Sequence, residues 1–147
     1  MFGYRLLSKQ VENVDQSELS AGTADPPGRC ISIVDDDASI RDALKSLMRA
    51  ARLHVQTFAS AEDFLHSEHS CDTACLILDI SLPGMTGFDL QDHLNRERPG
   101  IPIVFITAHS DDASRDRALK NGAIDFLSKP VRSDPLFRAI HTAMNRQ

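Results

Sequence analysis

The sequence predicts an α/β fold, a five-stranded parallel sheet covered on both faces by helices. Three observations lead there. Short apolar runs alternate with segments whose apolar residues recur at the 3.6-residue helical period. The spacing leaves no room for hairpins, so each strand is followed by a crossover helix and a parallel neighbour. The run "ACLILD" (74–79) is apolar without alternation, as a central strand buried on both faces requires.

The first strand is "CISIV" (30–34). Its helix carries Ile40, Ala43, Leu44, Leu47, Met48 and Ala51 on one face. "HVQTF" (54–58) is the second strand, and Ser60 caps a short helix through Phe64 and Leu65, with the acid Asp63 three residues on. After "ACLILD", the loop "SLPGMTG" leads into a helix with Phe88, Leu90, His93 and Leu94, ended by "RPG". "IPIVFIT" (101–107) is the fourth strand. A charged helix follows, capped by Asp111 and Asp112 and stopped by Gly122. "AIDFLS" (123–128) is the fifth strand, and the last helix is expected to have Ser133 or Asp134 as cap with Pro135 at its first position. Right-handed crossovers leave few topologies. The commonest for five strands is the flavodoxin-like order 2-1-3-4-5, a (βα)5 three-layer sandwich.

Composition narrows the function. The 147 residues suit one domain, 41% hydrophobic and 25% charged. A net charge of −5 argues against a nucleic-acid-coating surface or a polybasic membrane anchor. No apolar run approaches the roughly 20 residues of a bilayer span, and the N-terminus lacks a secretory pattern. The expected location is the cytoplasm, with no direct nucleic-acid or membrane binding. Residues 1–28 are polar, close on Pro26-Pro27-Gly28, and read as a mobile extension with at most a short helix over 4–14. Residues 29–147 form the domain. Three cysteines suit free thiols in a reducing compartment. His66, His69, Cys71 and Cys75 match no common zinc spacing and read as a polar helix end leading into a buried strand.

In the 2-1-3-4-5 order, ligands sit at the carboxyl ends of the strands, beside the switch point between strands 1 and 3. Those ends carry Asp35 and Asp36, Asp79, Thr107 and Lys129. Three converging carboxylates raise one another's pKa unless a cation joins them. A hard divalent ion with oxygen ligands resolves the conflict, and Mg2+ suits few carboxylates and several waters. Mg2+, a lysine and a hydroxyl around an aspartate suit phosphoryl transfer, which needs positioning and charge neutralisation. Asp79, on the central strand, is the best candidate for the carboxylate that takes the phosphoryl group. Asp35 and Asp36 would point to opposite faces of a strict strand. The chain must therefore leave the strand at Asp35 for both to reach one ion, while Asp37 starts the first helix as its cap.

In "IVDDD", "LILDISLPGMTGFDL", "FITAHSD" and "DFLSKP", residues 30 to about 145 resemble the receiver domain of two-component response regulators. "TAHSD" and "DFLSKP" lean towards the FixJ type. The resemblance implies that Asp79 is phosphorylated by a sensor histidine kinase or phosphotransfer protein. Asp36 would bind Mg2+ directly and Asp35 through water, with the backbone carbonyl of Ser81 as a further ligand. Thr107 and Lys129 would contact the phosphoryl oxygens, and the Lys129–Pro130 bond would be cis. Phe126 resembles the aromatic switch position and reads equally as a plain core phenylalanine. Ser81 and His109 would flank the path of attacking water and tune phosphoryl lifetime. Such a receiver is no enzyme acting on a separate substrate; it catalyses its own phosphorylation and dephosphorylation.

Two other functions fit parts of the pattern. A haloacid-dehalogenase-type phosphatase would use Asp35 as nucleophile, but its lysine and acidic pair fall in another order. A pseudo-receiver would keep the fold and bind partners without phosphorylation, which the intact acid, threonine and lysine set argues against. No helix-turn-helix is legible after the fifth helix. Both a stand-alone receiver acting on a downstream protein and a piece of a longer regulator are expected readings. The signalling surface would be helix 4, strand 5 and helix 5, which also suits a phosphorylation-dependent homodimer.

Overall fold

The computed structural model describes residues 30–68 and 70–146. The expected extension over 1–28, its short helix and His69 lie outside the described residues. The strands are β1 (Cys30–Val34), β2 (Val55–Phe58), β3 (Thr73–Asp79), β4 (Ile103–Thr107) and β5 (Asp125–Ser128). Between and after them run α1 (Ala38–Ala50), α2 (Ala61–His66), α3 (Gly87–Glu97), α4 (Asp112–Lys120) and α5 (Ser133–Met144), with a 3-10 turn at Ser70–Asp72. All neighbouring strands pair in parallel, and the sheet order is β2-β1-β3-β4-β5, as the sequence predicts.

Strand alternation splits the core in two. In β3, Leu76 and Leu78 point to one face with Phe64 of α2, Leu90 and Leu94 of α3 and Ala118 of α4. Cys75 and Ile77 point to the other, with Leu44 and Met48 of α1 and Leu136, Ala139 and Ile140 of α5. Every residue of β3 is buried, which is why its sequence shows no polar alternation. Cys75 lies fully inside this core, and burial pushes its thiol up to about 12, far from the thiolate a metal needs.

Asp37 caps α1, accepting from the amides of Ser39 and Ile40. Ser60 caps α2 through Asp63, and Asp111 caps α4 through Ser114. Two expectations change. Of the residues expected on the α1 face, Ala43 is exposed, as is Ala51 at the cap after the helix, and the buried face rests on Leu44 and Met48. On α5, Arg132 occupies the cap position without a side-chain cap, Ser133 is the first helical residue, and Pro135 is the third. Pro135 is tolerated there because first-turn amides have no intrahelical acceptor to lose.

Candidate functional site

Parallel strands in register deliver their carboxyl ends to one edge. Val34 pairs with Leu78, Asp79 with Ile106, and Thr107 with Ser128, so the residues just beyond them face one another. Asp35 extends β1 by one bond, its amide donating to the Phe58 carbonyl at 3.2 Å. Its side chain is buried, whereas that of Asp36 is exposed. The chain turns between them, with the Asp37 amide donating to Asp35 Oδ1 at 2.9 Å. Oxygens of Asp35, Asp36 and Asp79 come to lie within 4.8 Å of one another.

Asp79 ends β3 and is 3% exposed. The Ser81 amide donates to its Oδ1 at 3.1 Å. Lys129 Nζ lies 2.8 Å from Asp35 Oδ2 and 3.2 Å from Asp79 Oδ2, so one ammonium bridges two carboxylates. The Lys129 amide donates to the Thr107 carbonyl at 2.8 Å, and its bond to Pro130 is cis. Burial pushes the Asp79 pKa upward; the Ser81 amide opposes this, the charge of Asp35 adds to it, and Lys129 works against both. For Lys129, burial acts to lower the pKa, but the bond to Asp35 and the charges of both acids outweigh it and hold the pKa above the usual lysine value.

Thr107 is buried at the end of β4, but its hydroxyl serves its own loop. It accepts from the His109 amide at 3.0 Å and donates to the His109 carbonyl at 3.1 Å. Phe126 is packed inward, 3% exposed, in the core beneath α2, α3 and α4. The structure thus brings Asp35, Asp36, Asp79 and Lys129 together, and leaves Thr107 at the neighbouring strand end with its hydroxyl bonded to the His109 backbone.

Sequence reasoning missed three residues around the pocket. Arg41 of α1 donates from Nη1 to the Asp35 carbonyl at 2.7 Å. Glu62 of α2 accepts from the Met85 amide at 2.9 Å and so braces the loop that follows Asp79. Gly87 opens α3 flat against the Asp79 backbone: a Cβ there would lie 2.5 Å from the Asp79 carbonyl oxygen. Its amide donates to the Ile80 carbonyl at 3.0 Å. Thr86, just before it, forms a capping box with Asp89.

The donor set fits a hard divalent cation. It is all oxygen, three carboxylates converge while one ammonium meets only two of them, and the buried Asp35 Oδ2 lacks an aligned hydrogen-bond donor among the described residues. Asp35, Asp36 and Asp79 are the residues that would hold it.

An open parallel sheet with an acid cluster and a lysine at its switch point defines a receiver-type α/β module. Residues 31–141 match the response regulator receiver domain family, and the chain belongs to that family. It is 45% identical over 116 residues to nodulation protein W of Bradyrhizobium diazoefficiens, covering 79% of this chain and 51% of that protein. It is 34% identical to the transcriptional regulatory protein FixJ of the same organism, covering 79% and 57%. Among solved structures, the response regulator StyR superposes with a TM-score of 0.70 at 43% identity, covering 80% of this chain and 59% of that one. The chain spans about half the length of the curated relatives it matches. No helix among the described residues is long and apolar enough to cross a membrane.

Proposed function

We propose that this chain is a cytoplasmic phosphoryl-accepting receiver, in which Asp79 takes a phosphoryl group from a phosphohistidine of a sensor histidine kinase or phosphotransfer protein. An Asp79 carboxylate oxygen attacks phosphorus, the P–N bond breaks, and the imidazole leaves with the electron pair and gains a proton. The product is an acyl phosphate on Asp79. The observation that carries this reading is the Lys129 ammonium between Asp35 and Asp79, with Asp36 beside them, at the carboxyl edge of the sheet.

Mg2+, held by Asp35, Asp36, Asp79 and the Ser81 backbone carbonyl, would neutralise the charge of the transferring oxygens. Lys129 keeps the Asp79 carboxylate oriented and meets the added phosphoryl charge with the same ammonium. Thr107 must release its two bonds to His109 to donate to a phosphoryl oxygen. That exchange couples the pocket to the loop before α4 and to Phe126, whose inward rotamer is the one held here. The output is a shift in a two-state surface of α4, β5 and α5 that a downstream protein or a second copy of the chain reads.

Incubation with phosphoramidate and Mg2+, followed by intact-mass spectrometry, tests the reading. Wild type should gain one phosphoryl group, and Asp79→Asn or excess EDTA should abolish the gain. A wild type that stays unmodified would instead favour a binding module with the receiver fold.

A further inference from the structure

The acid turn poses a geometric problem that the pocket residues alone do not solve. Strand alternation would send Asp36 to the face opposite Asp35, yet an oxygen of each lies within 4.8 Å of the other and of Asp79. The orientation of the peptide plane between residues 35 and 36 decides this, because that plane carries the Asp35 carbonyl and the Asp36 amide together. Arg41 grips it from α1: its Nη1 donates to the Asp35 carbonyl oxygen at 2.7 Å, a short charge-assisted bond. The other bonds on the turn, Asp35 amide to Phe58 carbonyl and Asp37 amide to Asp35 Oδ1, fix residues on either side of that plane.

Resting on the reading of this pocket as a Mg2+ site, we propose that Arg41 is a positioning residue for the metal, holding the 35–36 peptide plane so that Asp36 enters the pocket. The guanidinium touches none of the carboxylate oxygens through this bond; it acts through the main chain. Outer partners of this kind typically contribute roughly 10- to 100-fold in metal affinity.

The sign of the effect separates positioning from plain electrostatics. By Coulomb's law alone, removing a positive charge near a cation site strengthens cation binding. Loss of the grip on the peptide plane weakens it. Mg2+ is titrated calorimetrically at low ionic strength into wild type, Arg41→Met and Arg41→Lys, with thermal melts in EDTA to verify folding of each. The expected result is Mg2+ affinity roughly 10-fold or more weaker in Arg41→Met, with Arg41→Lys, which keeps the charge and a donor, in between. Equal or tighter binding in Arg41→Met overturns the role of Arg41. If Arg41→Met does not fold, Arg41→Lys decides alone, and an affinity equal to wild type overturns it. A wild type that binds no Mg2+ overturns instead the metal reading of the pocket on which the proposal rests.

Discussion

Lys129 carries the electrostatic balance of the pocket, since one ammonium offsets two buried carboxylates. Replacing it with methionine leaves both acids unpaired, at a cost of about 3 kcal/mol, the low end for stripping a buried ion of its partner. Urea denaturation at pH 7 measures the loss. The deficit should shrink as pH falls and the carboxylates protonate, and Mg2+ should restore part of it. Asp79 gives the complementary prediction. Its pKa is raised in the folded state, mainly by burial, so the native pocket binds the proton more tightly than the unfolded chain. The ionised form therefore costs stability, a cost absent below the unfolded pKa and present in full above the folded one. Asp79→Asn should melt roughly 2–4 °C higher than wild type at pH 7 without Mg2+. Melting curves down to pH 3.5 should show that advantage disappear.

At the scale of elements, α4 is the weakly anchored one. Ala118 is its buried residue, and polar straps do the holding. Gln91 and Asn95 of α3 donate to the carbonyls of Ala118 and Asn121 at 3.1 and 3.0 Å. Arg117 lies over the Phe88 ring at 4.3 Å, and Arg115 donates to the Phe126 carbonyl at 3.1 Å. Gln91 is itself buried with an unpaired Oε1. Gln91→Leu removes the strap together with that unpaired oxygen, so global stability should change by less than about 1 kcal/mol. Hydrogen exchange over residues 112–121 should nonetheless accelerate, and α4 should exchange fastest of the described helices longer than two turns.

The strands were legible because a parallel sheet buried on both faces writes itself as continuous apolar runs, as in "ACLILD". The caps Asp37, Ser60 and Asp111 were legible because a cap is a local contact. The start of α5 was not: Ser133 and Asp134 look like caps, yet the helix begins before either can act as one. Arg41 and Gly87 were illegible for a different reason. Their partners, the carbonyls of Asp35 and Asp79, are backbone atoms whose positions only the folded loops define. The bonds of the Thr107 hydroxyl to the His109 backbone likewise depend on a rotamer, which no spacing encodes.

The whole molecule is a device for holding a few side chains at one edge of a rigid sheet. Two cores, one on each face, fix β1, β3, β4 and β5 in register. The carboxyl ends then deliver three acids, a threonine and a lysine from positions far apart in the chain. The central claim is that the phosphoryl group goes to Asp79, and borohydride trapping tests it most directly. Borohydride reduces an acyl phosphate to the corresponding alcohol, so a phosphorylated aspartate becomes homoserine. After phosphodonor and Mg2+ treatment, reduction and peptide sequencing by mass spectrometry should place homoserine at position 79. Homoserine at position 35 or 36, or at none of the three, would contradict the account.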